Sequence, residues 1–171
     1  MSADPGAAAP PDHSNDHSND DGEDGGCWGA GARQGHAPDK PVVLVAAVAL
    51  IDPDGRVLLA RRPAGKAMAG LWEFPGGKVG AGETPERALV RELAEELAID
   101  TRESCLAPLA FASHAYDDFH LLMPLFACRV WRGQARPMEG QELAWVRPPR
   151  LWDYPMPPAD RPLIALLQEW L

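Results

Sequence analysis

The chain has three cysteines, Cys27, Cys105 and Cys128, and no CxxC pair. An odd number at long spacings builds neither a disulfide framework nor a structural zinc site, and it predicts reduced thiols in a cytoplasmic protein. Long apolar runs are also missing. The longest, residues 41–51, is about half of a membrane span. No apolar h-region follows the acidic start Met1-Ser2-Ala3-Asp4-Pro5, so no secretory signal is expected. Basic charge is scarce, with 16 Lys and Arg against 25 Asp and Glu and a net charge of −9. That balance excludes a groove held on a nucleic-acid polymer by surplus Lys and Arg. It excludes a binder of anionic membranes for the same reason.

The 171 residues suit one domain with an added tail. Hydrophobic residues make up 46% and charged residues 24%, enough for a sizeable core inside an ordinary polar surface. The acidity is uneven. Residues 1–40 carry eight acids and two bases, and their net charge of −6 compares with −3 for residues 41–171. This leader is rich in Gly, Pro, Asp and Ser and contains no Val, Ile, Leu or Phe. It cannot bury enough surface to offset its ordering entropy, so residues 1–40 are expected to be a disordered acidic tail. Its repeat, His13-Ser14-Asn15-Asp16 then His17-Ser18-Asn19-Asp20, offers only two histidines, a poor metal site in a flexible chain.

From residue 41 the pattern is that of a folded domain. Residues 42–50 are a β-branched and aliphatic run that suits a buried strand. Asp52-Pro53-Asp54-Gly55 has turn chemistry and residues 56–61 read as a second strand, so the pair predicts a hairpin. Residues 71–75 suit a brief strand, and Pro75-Gly76-Gly77 is expected to break the chain. The clearest helix starts at Thr84, a fitting N-cap, with Pro85 in the first position and Glu86 in the first turn. Leu89, Leu93 and Leu97 form its core stripe. Strands follow over 106–114, 120–131 and 142–146. A terminal helix over 163–171 sets Leu163, Leu166, Leu167 and Trp170 on one side. The order predicts an α/β (α+β) fold with a mixed sheet sandwiched between helices.

That first helix has a second face. Glu92, Glu95 and Glu96 stand at i, i+3 and i+4, so their carboxylates share one patch. Like charges at this spacing repel, and helix stability does not call for them. A hard divalent cation does, because Mg²⁺ and Mn²⁺ take carboxylate and carbonyl oxygens. A solvated acidic face is the plain alternative for the three glutamates alone. Upstream, however, Gly77 is followed after five residues by Glu83, and after seven more by Arg91-Glu92-Leu93-Ala94-Glu95-Glu96, with Ile99 closing the run. Other phosphate motifs fail. The residue after Lys78 is Val79 rather than Ser or Thr, and a G-x-G-x-x-G begun at Gly80 meets Pro85.

The run resembles the Nudix box, G-x5-E-x7-R-E-U-x-E-E-x-G-U, where U is a bulky aliphatic residue. Its last Gly is Ala98 here, which costs on the order of 1 kcal/mol if a left-handed turn is kept, unless the helix ends differently. Leu71-Trp72-Glu73-Phe74-Pro75-Gly76-Gly77-Lys78, Arg61-Arg62 and the ending Pro157-Pro158-Ala159-Asp160-Arg161-Pro162-Leu163-Ile164 are similar to the flanks of MutT-type 8-oxo-dGTP diphosphatases. The likeness covers residues 42–171.

The resemblance implies a set of roles. Glu92, Glu95 and Glu96 hold Mg²⁺ or Mn²⁺ with the Gly77 carbonyl, while Glu83 pairs with Arg91 and fixes the loop to the helix. Glu139 is the best match for a further catalytic carboxylate outside the box, and Glu142 is its rival. Arg62 and Lys78 are candidate phosphate contacts, as either forms charge-assisted hydrogen bonds. Phe74 and Phe119 are candidate stacking faces for the base. Asp160 stands where the MutT pattern has an Asn. Ionised, it can only accept, from the N7–H of 8-oxoguanine or from the exocyclic amine of cytosine. The implied reaction is attack of water on a nucleoside triphosphate, giving the monophosphate and pyrophosphate. The implied partner is that small nucleotide, handled by a monomer, with a dimer as the alternative. Relatives that act on CTP or modified dCTP have similar endings, so a pyrimidine is the second reading. A silent binding module is the third. It would not need Glu83, Glu92, Glu95 and Glu96, all of which are present.

Overall fold

The computed structural model describes residues 40–171. The expected tail, its His-Ser-Asn-Asp repeat and Cys27 lie outside the described residues. Among the described residues there are seven strands: β1 (Val42–Leu50), β2 (Val57–Arg61), β3 (Trp72–Glu73), β4 (Gly76–Lys78), β5 (Ala107–Ala115), β6 (His120–Cys128) and β7 (Glu142–Val146). The α-helices are α1 (Pro85–Leu97) and α2 (Arg161–Trp170). Short 3-10 turns at Glu103–Cys105 and Pro148–Asp153 were not anticipated by the sequence pattern.

The strands form two sheets. One runs β4-β1-β6-β5 and is mixed, since β1 and β6 are parallel and the other pairs antiparallel. The other runs β3-β2-β7 and is antiparallel. The expected β1–β2 hairpin is therefore corrected. The turn forms, with the Gly55 N–H donating to the Asp52 carbonyl at 2.9 Å and Gly55 at φ +74°. Beyond it a lone bridge, Ile51 to Val57, joins the two strands. A strand has two hydrogen-bonding edges, and those of β1 are taken by β4 and β6. The chain must leave the sheet, and β2 starts the second one.

From Ala46 onward β1 is buried on both faces, and its alternation divides the core. Ala46, Val48 and Leu50 pack with Leu89, Leu93 and Leu97 of α1. Ala47, Ala49 and Ile51 pack in the other cluster with Leu163, Ile164 and Leu167 of α2. The sheet is thus held between helices, as the sequence predicts. Each fully buried Leu in these clusters contributes about 1.5–3 kcal/mol. The stripe on α2 needs correction, because Leu166 and Trp170 are exposed while Ile164 is buried. Arg129 lies over the Trp170 ring at 5.5 Å.

Gly76 and Gly77 do not break the chain. They are strand β4, paired with Ala47 and Ala46 of β1. A Cβ on Gly76 would stand 2.0 Å from the Ala46 carbonyl oxygen, so only glycine permits this approach. α1 starts as expected, with the Arg87 N–H donating to Thr84 Oγ1 at 3.2 Å. It ends on Ala98 at φ +52°, ψ +34°, so the left-handed turn is kept without a glycine. β6 stops at Cys128 rather than at residue 131.

Candidate active site

The loop-helix segment 77–98 builds one end of a cavity of about 490 Å³. β4 brings Gly77 beneath α1, and the Glu92 carboxylate fills the space a side chain would take. A Cβ on Gly77 would lie 2.3–2.8 Å from the atoms of that carboxyl group. Glycine at 77 and glutamate at 92 are therefore one steric unit. The Arg91 fork holds Glu83 twice, Nε to Oε1 and Nη2 to Oε2, both at 3.0 Å. Its Nη1 donates to Glu92 Oε1 at 2.8 Å and to Glu95 Oε2 at 3.4 Å. The Gly80 N–H also donates to Glu83 at 3.0 Å. Arg91 thereby draws Glu83 below the usual carboxylate range and is itself pushed up by Glu83 and Glu92. The expected pairing of Glu83 with Arg91 is present.

Glu96 faces the cavity one turn along from Glu92. Burial pushes its carboxyl up to about 7, and the charges of Glu92 and Glu139 add to the shift. A carboxylate raised by other carboxylates marks a place short of positive charge. The donor set there, carboxylates packed against the Gly77 backbone, offers the oxygen chemistry that hard divalent cations take. It fits such an ion in its composition and in the seating of Glu92 on Gly77. Among the described residues no three acidic, His or Cys side chains already stand grouped as ligands, since Arg91 holds Glu92 and Glu95.

Glu139 arrives by a different route. The carbonyls at the end of α1 are capped by the segment before β7. The Arg136 N–H donates to Leu97 O at 2.9 Å and the Met138 N–H to Glu96 O at 3.0 Å. Buried Gln141 donates from Nε2 to Glu96 O at 2.8 Å and accepts the Glu139 N–H at 2.7 Å. This clasp sets Glu139 in the cavity wall with Glu96. Its rival Glu142 pairs with Arg61 at 3.1 Å and does not line that cavity. Gln141 was missed by sequence reasoning, because nothing in Gln141 itself signals that it clasps a helix end forty-five positions away.

The phosphate candidates divide. Lys78 lines the cavity and, among the described residues, makes no ion pair. Arg62 lines it too, but its guanidinium is engaged, with Nη1 on Glu73 at 2.6 Å and Nε on the Ala67 carbonyl at 2.6 Å. Arg62 thus holds the loop between β2 and β3. Sequence reasoning passed over that loop's own lysine, Lys66, which is ion-paired to Glu139.

At the far end of the cavity the lining is aromatic. Phe74 is buried in the core yet borders the cavity. Phe119 stacks on Tyr116 with centroids 4.9 Å apart. Asp160 is 4% exposed and accepts the Phe74 N–H at 3.4 Å. Burial pushes its carboxyl up to about 7, partly offset by that hydrogen bond. The expectation of a simply ionised Asp160 is therefore corrected. Near neutral pH it is divided between a carboxylate that only accepts and an acid that donates as well.

Comparison with known proteins decides the family. The NUDIX domain matches residues 46–166. The chain belongs to the NUDIX family. The CTP pyrophosphohydrolase of Escherichia coli is 42% identical over 127 residues, 73% of this chain and 90% of that protein. The 8-oxo-dGTP diphosphatase of Proteus vulgaris is 38% identical over 102 residues, 60% of this chain and 89% of that protein. Among solved structures, a MutT from work on Aliivibrio salmonicida and Vibrio cholerae superposes with a TM-score of 0.64 at 32% identity, covering 76% of this chain and 99% of that one. The NUDIX assignment makes the protein a hydrolase of MutT type, and such hydrolases use a divalent metal and small nucleotide substrates. No helix among the described residues is long and apolar enough to cross a membrane.

Proposed function

We propose that the protein hydrolyses a nucleoside triphosphate, 8-oxo-dGTP foremost, to the monophosphate and pyrophosphate, and so clears damaged nucleotides from the pool. One observation carries this reading. A single cavity has the carboxylates Glu96 and Glu139 at one end, beside the Gly77 on which Glu92 is seated, and an aromatic and carboxyl-lined slot at the other, Phe74, Phe119 and Asp160. That polarity matches a nucleotide, with its phosphates at the acidic end through a cation and its base in the slot.

The ion we assign is Mg²⁺, held by Glu92, Glu95 and Glu96 with the Gly77 carbonyl. When bound, it screens the phosphate charge and acidifies the attacking water. The chain's own residues do the rest. Arg91 orients Glu92 and Glu95 while Glu83 anchors Arg91 to the loop. Glu96 or Glu139 accepts the proton of the attacking water. Lys78 meets the phosphate chain by charge-assisted hydrogen bonds. Phe74 and Phe119 exclude water around the base, and Asp160 reads its edge. For 8-oxoguanine the protonated acid is a full match, accepting from N7–H while donating to O6.

A cytidine triphosphate is the second reading, favoured by the 42% likeness to a CTP pyrophosphohydrolase and by ionised Asp160 as an acceptor for an exocyclic amine. The test is a comparison of kcat/KM for 8-oxo-dGTP, dGTP, CTP and 5-hydroxy-dCTP with Mg²⁺, with products resolved by anion exchange. A preference for 8-oxo-dGTP of a hundredfold or more over dGTP is expected. A preference for the cytidine compounds would transfer the protein to pyrimidine turnover with the same site. No turnover of any of them would overturn the nucleotide reading.

A further inference from the structure

Lys66 occupies an arrangement that the roles above do not use. Among the described residues it is the sole cation between Arg62 and Lys78, in a loop whose backbone is set by three left-handed residues, Gly65 at φ +92°, Met68 at +58° and Gly70 at +84°. The loop is closed on itself. The Arg62 N–H donates to Leu71 O at 2.9 Å, the Gly70 N–H to Arg62 O at 3.0 Å, and the Arg62 guanidinium ties Ala67 O to Glu73. From this frame the Lys66 ammonium crosses to Glu139, on the segment clasped to the end of α1 by Gln141. Both Lys66 and Glu139 are about half exposed, and both line the cavity with Glu96.

We propose that Lys66 is an exchangeable counter-ion and a triphosphate contact: it holds Glu139 in the nucleotide-free protein and passes to the phosphate chain when the substrate enters. The inference rests on the nucleotide reading and goes beyond it in assigning this residue. Without substrate, Glu139 and Glu96 share the acidic end and Lys66 offsets their repulsion. A triphosphate brings about four negative charges to the same place, together with its cation. The cation then supplies Glu139 with positive charge, and the phosphate oxygens become the stronger partner for the ammonium. Lysine suits this exchange, being a compact charge with three donors on a flexible four-carbon stem. The loop is already braced by Arg62, so the side chain alone has to swing. The contact favours substrates with β- and γ-phosphates over monophosphates.

The test uses the full chain as wild type, K66M and K66R. Binding of an α,β-methylene nucleoside triphosphate and of the matching monophosphate is measured by calorimetry at saturating Mg²⁺, beside steady-state kinetics. In K66M the analogue should bind about tenfold more weakly and KM for the triphosphate should rise to match, with kcat within about twofold. Monophosphate affinity should not change, and K66R should restore most of the loss. Equal weakening of analogue and monophosphate would overturn the proposal, as would unchanged analogue binding in K66M. Wild type that turns over triphosphates while K66M matches it defeats this inference alone. Wild type that neither binds nor cleaves them defeats the nucleotide reading with it. Thermal melting of K66M should stay close to wild type, since a half-exposed ion pair contributes little to stability.

Discussion

The two ends of the cavity are built in different ways. The acidic end is almost local: Gly77, Glu83, Arg91, Glu92, Glu95 and Glu96 come from one loop and one helix, with Glu139 delivered by the segment before β7. The far end draws Phe74 from beside β3, Phe119 from the start of β6 and Asp160 from the start of α2. A charge pattern at helical spacing survives in the sequence because the helix alone brings its members together. A slot assembled from three distant segments has no such spacing. The acidic end is also electrostatically demanding, while the far end is set by burial, and the two should fail differently when altered.

The largest effect is expected at the acidic end. Glu96→Gln keeps the shape of the side chain and removes its charge. Turnover should fall about 10²–10⁴-fold, the range for loss of a positioned base. The substitution also relieves repulsion with Glu92 and Glu139, so stability should hold or rise. Steady-state kinetics beside thermal melting separates the two. A variant that melts normally and still turns over at near wild-type rate would break the comparison, placing the chemistry elsewhere.

Legibility in the sequence obeys the same division. The Gly77–Ile99 run was readable down to the pairing of Glu83 with Arg91, because loop length and helix period fix those partners. The tight approach of Gly76 and Gly77 to β1 was not readable. Glycine there looked like a chain break, and only pairing with Ala46 and Ala47 makes it a strand. The β1–β2 hairpin was misread for a related reason. A good turn is visible locally, whereas the occupation of both edges of β1 by β4 and β6 is a property of the whole sheet. The choice of Glu139 over Glu142 as a cavity residue depends on Gln141 clasping the end of α1, which no local pattern reports. Asp160 was visible as a position and hidden as a charge state, because its carboxyl is moved chiefly by burial, which no local pattern reports.

The second effect tests the far end through that charge state. Asp160 ionises near its ordinary value of 3.8 in the unfolded chain and near 7 in the folded one. Between those values the folded protein holds more protons, so this group makes stability fall as pH rises. Its cost is absent below about pH 4, grows up to about pH 7 and is constant above. Asp160→Asn removes the titration and can keep the bond from the Phe74 N–H through its amide oxygen. The melting temperature of the variant relative to wild type should climb between pH 4 and 7, with a gain of about 4 kcal/mol at neutral pH. The amide also has a fixed donor and acceptor, so preference for 8-oxo-dGTP over CTP should rise about tenfold near pH 8, where wild-type Asp160 mostly accepts. A flat difference in melting across pH would mean that burial does not hold the proton, and the far end would lose its distinguishing feature.

The smallest effect lies at the C-terminal end of α1, where the acidic end of the cavity is anchored. Ala98 adopts φ +52°, ψ +34°, and the Ile99 N–H donates to Leu93 O at 3.3 Å across the turn. An L-residue is strained in this geometry through its Cβ, by roughly 1 kcal/mol relative to glycine, and Ala98→Gly removes that cost. The gain is partly returned because glycine has more freedom to lose on folding. A net stabilisation of at most about 0.5 kcal/mol is therefore expected, read as a small rise in the urea midpoint at constant slope. Activity should stay close to wild type, because Ala98 supplies neither ligand nor base and the Glu96 and Leu97 carbonyls keep their partners in Met138, Gln141 and Arg136. A fall in turnover with this substitution would mean that the rigid end of α1 holds Glu96 and Glu139 in register. The acidic end would then depend on distant packing as much as the aromatic end does.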